Sequence, residues 1–239
     1  MKKLFYVLLV ASLVGYVSCS KDDDENDLKG SLDRTSLTMY VDDTEELKYS
    51  GKSCSWRSDN SLIASVDNGV VTANHVGTTK IYANDAVCKV GVRPMYNNFY
   101  EPCTIWGTTQ STVKSYMAGY SLRGSDNKSL AFNGKNNTIG YIYMFDNGRL
   151  SAGGVIVNLI NANYLTDFLL ERYVVINVEE DGNDYNIYML SLDQRTYLMC
   201  ILNTNGMTAL YMDAEKIINS GQTKIDSMNR MARKINTLK

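Results

Sequence analysis

The sequence predicts a mainly β protein in which a small β-sandwich is followed by an α+β domain. Three observations predict it. Between residues 31 and 94, apolar and polar residues alternate in short runs separated by turn residues. Beyond Pro94, two stretches of helical spacing are each followed by several alternating runs. Asn-Gly steps at Asn68-Gly69, Asn147-Gly148 and Asn205-Gly206 punctuate these runs as hairpin turns.

The chain opens with an address. Lys2 and Lys3 precede an apolar run from Leu4 to Val14, and small Ser18 stands before Cys19. Residues 1–18 therefore read as a secretory signal, too short for a comfortable membrane span. Ser18-Cys19 resembles the lipobox of bacterial lipoproteins, although Tyr16 stands where Leu is usual. That resemblance implies cleavage before Cys19 and lipid on it. The alternative is an ordinary cleaved signal with an incidental Cys. Ser20, Lys21, Asp22, Asp23, Asp24 and Glu25 follow, a run too charged to pack. It resembles the surface-export signal of lipoproteins from a phylum of Gram-negative anaerobes; otherwise it is a plain spacer. Residues 19–30 are thus expected to be a lipidated acidic tether, and the expected location is the outer membrane, exposed at the cell surface.

The first domain is expected over residues 31–94. Leu37, Met39 and Val41 share one parity, and Leu47 with Tyr49, Cys54 with Trp56, Ile81 with Ala83, and Cys88, Val90 and Val92 continue the series. Trp56, Ser58, Asn60, Ala64, Val66, Gly69, Val71, Thr72, Ala73, Gly77 and Ile81 make a pattern that resembles the bacterial Ig-like domain of group 2. Asp42-Asp43 departs from it, where the family often has a Gly in the early turn. The resemblance implies a seven-strand sandwich used as a spacer or adhesive module, with no catalytic residue. His75, the one histidine, lies in the loop before Gly77 and reads as a turn residue.

With Cys19 acylated, Cys54, Cys88, Cys103 and Cys200 remain, and an exported protein can pair them. Cys54 and Cys88 lie in one domain, and a bridge between them would add ~3–4 kcal/mol on a loop-entropy account. A bridge is the expectation; two thiols on strands too far apart is the alternative. The sequence does not pair Cys103 and Cys200.

The second domain is expected over residues 95–239. Val113, Tyr116 and Met117 form an apolar stripe in a helix over 108–118, and a second helix is expected over 162–172. Strand-like runs occupy 129–132, 138–145, 150–157, 173–178, 185–190, 197–202 and 208–212. Asp-Gly-Asn-Asp at 181–184 reads as a hairpin turn, because it lacks the ligand count of a calcium loop. At a shift of 53 residues, Val113, Met117 and Tyr120 align with Thr166, Leu170 and Tyr173. A helix followed by a meander, twice, resembles the β-lactamase-inhibitor-protein-like fold, and Trp106-Gly107 resembles the helix opening of small envelope-assembly lipoproteins. The resemblance implies two repeats forming one curved sheet with helices on its convex side. It carries no activity across.

The 17 Tyr suggest a glycan surface, but register argues otherwise for three aromatics. With Asn147-Gly148 as a two-residue turn, Phe145 faces Leu150 and Tyr143 faces Ala152. Tyr141, Tyr143, Phe145, Leu150, Ala152 and Ile156 then share an apolar face under the helices. Ile142, Met144, Ser151, Gly153, Val155 and Val157 share the other. If that face is open, Ile142, Met144, Val155 and Val157 are a candidate partner surface for a protein or glycan. The alternative is that the tail or the first domain covers it. In the tail, Ile225, Met228, Met231, Ala232, Ile235 and Leu238 recur at three- and four-residue steps. Over 214–239, six basic residues stand against Glu215 and Asp226, and the expected behaviour is docking on the domain.

Charge and motifs narrow the function. Lys plus Arg is 24 and Asp plus Glu is 26, a net charge of −2 that argues against a nucleic-acid partner. A single His, placed in a turn, argues against a His-based triad and leaves no set of several His for a zinc site. There is no Walker loop, dinucleotide fingerprint, Gly-x-Ser-x-Gly or Cys-x-x-Cys. The expectation is a non-enzyme without cofactor or metal: a membrane-anchored binding, adhesion or scaffold module. The alternative is a proteinaceous inhibitor or envelope-assembly partner using the concave sheet face.

Overall fold

The computed structural model describes residues 30–182 and 184–218. The signal, Cys19, the export run Ser20–Glu25 and the tail beyond 218 lie outside the described residues. The chain divides into two compact units, one ending at Arg93 and the other beginning at Pro94.

The first unit is a sandwich of seven strands: β1 Ser36–Tyr40, β2 Thr44–Glu46, β3 Trp56–Ser58, β4 Ala64–Asp67, β5 Val70–Ala73, β6 Gly77–Ala83 and β7 Ala86–Arg93. One sheet has the order β1-β7-β6-β3 and the other β2-β5-β4. Strand β1 pairs with β7 in parallel, and the other pairings are antiparallel. Alternation dictates the core. Leu37 and Met39 on β1, Thr79, Ile81 and Ala83 on β6, and Cys88, Val90 and Val92 on β7 point inward. They meet Ala64, Val71 and Ala73 from the other sheet. Asn68 and Gly69 both take positive φ between β4 and β5, which is the backbone of a type I′ hairpin turn. Asp42 takes the left-handed conformation (φ 70°) usual for Gly, and the Asp43 carboxylate accepts from Tyr40 N at 2.8 Å, so a turn without Gly closes. Trp56 is half-buried and covers Gly69, where a Cβ would meet its ring.

The second unit is an eight-stranded antiparallel sheet with two helices on one face. Helix α1 is Gln110–Tyr116 and α2 is Ala162–Leu170. After α1 come β8 Leu122–Ser125, β9 Ser129–Asn133, β10 Gly140–Asp146 and β11 Arg149–Val157. After α2 come β12 Tyr173–Asp181, β13 Asp184–Ser191, β14 Thr196–Asn203 and β15 Gly206–Asp213. A short helix, α3 Ala214–Ile218, follows. The order β12-β13-β14-β15-β11-β10-β9-β8 joins the two meanders through their last strands. The protein is thus mainly β with an α+β second unit built of two helix-plus-meander repeats.

Burial moves the repeat by one residue. Val113 and Met117 of α1 are fully buried, and so are Leu165 and Leu169 of α2. Leu170, matched to Met117 at a shift of 53, is exposed. The helix faces therefore correspond at a shift of 52. Those four side chains join Leu130, Tyr141, Tyr143, Leu150, Leu198 and Tyr211 in one core. The Asn205-Gly206 step acts differently from Asn147-Gly148, which forms its turn between Asp146 and Arg149. Asn203 pairs with Gly206, so Thr204-Asn205 form the turn and Gly206 opens β15. A side chain at Gly206 would run into the backbone of Val157 and Asn158.

The expected Cys54–Cys88 bridge is absent, because both cysteines are free thiols. Register gives the reason. Cys88 lies opposite Ile81, which lies opposite Ser58 on β3, while Cys54 precedes β3. The two are therefore separated by two strand spacings and four residues along the strand, on the order of 16 Å. A disulfide needs Cα atoms within about 7 Å. Cys103 and Cys200 are also free and buried. Burial pushes the Cys88 and Cys103 thiols up, and that of Cys200 to about 12.

Candidate functional site

Away from the helices, the second face of the eight-stranded sheet carries an apolar cluster of its own. Three rows of side chains cross it through the pairing register. One runs Met144, Ala152, Met212, Tyr197. The next runs Ile142, Gly154, Leu210, Met199, Tyr188. The third runs Ile156, Thr208, Ile201, Asn186, Glu179. Ala152, Tyr188, Met199, Ile201, Leu210 and Met212 form a buried cluster there, with Ile142, Met144, Ile156, Tyr197 and Ile217 packed against it. Gly154 makes the centre close: a Cβ would lie 3.1 Å from Leu210 and 3.2 Å from Ile142.

Two of the expected partner-face residues are here and two are not. Ile142 and Met144 lie on this face. Val155 and Val157 point the other way, into the helix-side core, at 1% and 0% exposure. Ala152 and Ile156, expected under the helices, take their place. The cause is a β-bulge. Phe145 pairs with Leu150 across the Asn147-Gly148 turn, but Met144 pairs with Ala152, leaving Ser151 as the extra residue. Side chains alternate, so one extra residue reverses the faces of everything after it. Tyr141, Tyr143 and Phe145 are buried under the helices as expected.

The face carries one carboxylate in a fixed position. Glu179 accepts from the Tyr188 hydroxyl at 2.9 Å and from Asn177 Nδ2 at 3.1 Å. Desolvation of the Tyr188 hydroxyl, with Glu179 beside it, pushes that phenol above its ordinary range. The surface is thus apolar across its centre with an acidic corner at β12. Its central side chains are buried, and among the described residues it carries no converging pair of acids.

Two other clusters are structural. Glu171, 4% exposed, accepts from Met95 N at 2.7 Å and Tyr96 N at 3.1 Å. Arg172 donates to Glu171, to the carbonyls of Phe168 and Tyr96, and to Asn97, and it stacks on Phe168. Together they fasten the lead-in segment to the end of α2, a lock the sequence did not reveal because its partners are about 75 residues apart. Beside it, Tyr173 donates to Glu101 at 2.6 Å, and burial raises the Glu101 carboxyl above its ordinary range. On the sandwich, Asp59, Asn60, Thr78, Thr79, Lys80, Lys89, Val90 and Gly91 line a shallow groove of about 480 Å³. Arg57 and the Tyr82 hydroxyl already hold Asp59, each at 2.9 Å. His75 Nδ1 lies 2.6 Å from the Leu62 carbonyl and closes its loop.

Among the described residues, no group of three or more His, Cys, Asp or Glu could hold a metal, and no helix is long and apolar enough to cross a membrane. A scan against models of known protein families matches none, and a search of curated proteins finds no relative.

Proposed function

We propose that this chain is a lipoprotein anchored to the outer membrane through Cys19, exposed at the cell surface, and acting as a non-catalytic binding or scaffold module. In this reading the sandwich, which resembles the bacterial Ig-like domain of group 2, is a spacer. The second unit presents its second sheet face to a protein or glycan. The observation that carries the binding part is the apolar face itself, where Ile142, Met144, Ile156 and Tyr197 are only partly buried at its margin. The lipobox-like Ser18-Cys19 and the acidic run after it support the location.

Protease shaving of intact cells tests the location. Fragments of the second unit are expected in the supernatant, and complete protection overturns surface exposure in favour of a periplasmic partner role. Replacing Asp22–Glu25 with Ala is expected to convert exposed protein into protected protein.

A further inference from the structure

The outer face of the four-stranded sandwich sheet sets like charges side by side. Lys80 on β6 lies directly opposite Lys89 on β7, and both are exposed. In such a pair the Cβ atoms stand about 5 Å apart, and equal charges there cost stability. Among the described residues, neither lysine forms an ion pair. Within the strands of this sheet, no outward position holds an acid. Asp59, just past β3, is taken by Arg57 and the Tyr82 hydroxyl, each at 2.9 Å. Folding alone gives no reason for the lysine pair, and a ligand of opposite charge does. We propose that this face binds an acidic polysaccharide, a chain of sugars bearing carboxylate or sulfate groups. This adds a ligand site to the module read as a spacer, and it does not depend on the sheet face of the second unit.

Register supplies the shape. Thr38, Gly91 and Thr78 form one row across β1, β7 and β6. A Cβ at Gly91 would meet nothing within 4 Å, so the row is a dent with a hydroxyl on either side. Along β7 the dent lies between Lys89 and Arg93, about 7 Å from each. It belongs to the groove of about 480 Å³ that Thr78, Lys80 and Lys89 also line. An anionic group over Gly91 would have a cation at each end and a hydroxyl at each side. Lys80 stands beside Lys89, and Arg57 one strand further, so the cations run diagonally from Arg93 to Arg57 over about 22 Å. Rings stand at both ends of this line. Tyr40, 49% exposed, is opposite Arg93, and the Arg57 guanidinium lies 3.5 Å from the centre of the Tyr82 ring. The mixture fits a sugar polymer best. A nucleic acid is matched by denser positive charge, whereas the chain as a whole carries −2. A lipid surface is matched by cations beside an exposed apolar stripe, and here Thr38, Thr78 and Gly91 lie between the cations instead. In an acidic polysaccharide, charged groups alternate with hydroxyls and ring faces, as they do on this face.

Calorimetric titration of the detergent-solubilised full chain with heparin and with polygalacturonate, at physiological ionic strength, tests the proposal. Saturable binding of at least one is expected, and binding of neither overturns it. Equal or tighter binding of duplex DNA, or of a soluble short-chain phosphatidylglycerol, overturns this occupant. Lys80→Gln with Lys89→Gln is expected to weaken binding at least tenfold and to flatten its salt dependence. Lys48→Gln with Lys52→Gln removes the same charge from exposed positions elsewhere on the sandwich and is expected to weaken it less than twofold. Equal losses in the two variants overturn the site. Gly91→Val fills the dent with no change of charge and suits a strand. A several-fold loss is expected from it, and unchanged affinity overturns the seat over Gly91. Because the Lys80 and Lys89 substitutions remove a like-charge pair, their melting temperature is expected to be no lower than that of the unaltered chain. If it is lower, Gly91→Val decides alone.

Discussion

Glu171 and Arg172 show how much rests on two adjacent side chains. The Glu171 carboxylate is nearly inaccessible and satisfies two backbone N–H groups, while Arg172 spans three backbone or side-chain acceptors beyond it. Removing the carboxylate strands both amides and leaves the guanidinium without its counter-charge. Glu171→Ala is therefore expected to lower the stability of the second unit by about 3 kcal/mol, read as a shift in its urea midpoint. Glu101 acts in the opposite sense. Burial raises its carboxyl above the unfolded value, so the folded state holds the proton more tightly than the unfolded one. The stabilisation linked to that proton is full below the unfolded value, about pH 4, and is lost as pH rises through the folded value. Glu101→Gln is expected to flatten this part of the stability–pH curve, and an unchanged slope would show that Glu101 does not produce it.

At the scale of the element, the bulge at Ser151 decides which face is which. Deleting Ser151 removes the unpaired residue and leaves Phe145 opposite Leu150 and Met144 opposite Ala152. Its side chain contributes one hydrogen bond, to the Met144 carbonyl at 3.1 Å. The deletion is expected to be tolerated, at a cost of about 1 kcal/mol. Deleting Gly154, in the regular part of the ladder, is expected to abolish cooperative folding of the second unit. It shifts either Val155 and Val157 out of the core or Ala152 out of the second-face cluster. Melting curves of the two deletions separate these outcomes. The bulge was not legible in the sequence, because Gly153-Gly154 has no side chain to mark its parity and Ser151 fits either face. The strands were legible wherever apolar alternation was strong: 129–132, 185–190 and 197–202 each fall inside the observed β9, β13 and β14. Strand β8 was missed because its four residues are exposed and carry no alternation.

At the scale of the whole molecule, the proposed function makes the chain two modules on a tether. If Cys19 bears the anchor, Cys19→Ala is expected to move the protein from the detergent phase to the aqueous phase on phase partitioning. A variant that stays with the detergent phase would remove the lipid reading while leaving both folded units as they are. The four remaining cysteines play no part in this, since all four are free thiols and Cys88, Cys103 and Cys200 are buried.

The mainly β class and the succession of helix and meander in the second unit follow from local signals: alternation, helical spacing and turn residues act within a few positions. The count of seven strands in the sandwich came from the resemblance to the bacterial Ig-like pattern, since alternation marked Leu47 and Tyr49, which lie just outside β2. Packing between distant segments settled the rest. It put Val155 and Val157 in the core, kept Cys54 from Cys88, and joined Glu171 to a segment far back along the chain. It also brought Met144, Ala152, Met212, Leu210 and Met199 together in adjoining rows on the second face. Those outcomes depend on register between strands and on pairings across long separations, where a single extra residue such as Ser151 reverses a face without changing the pattern of the sequence around it.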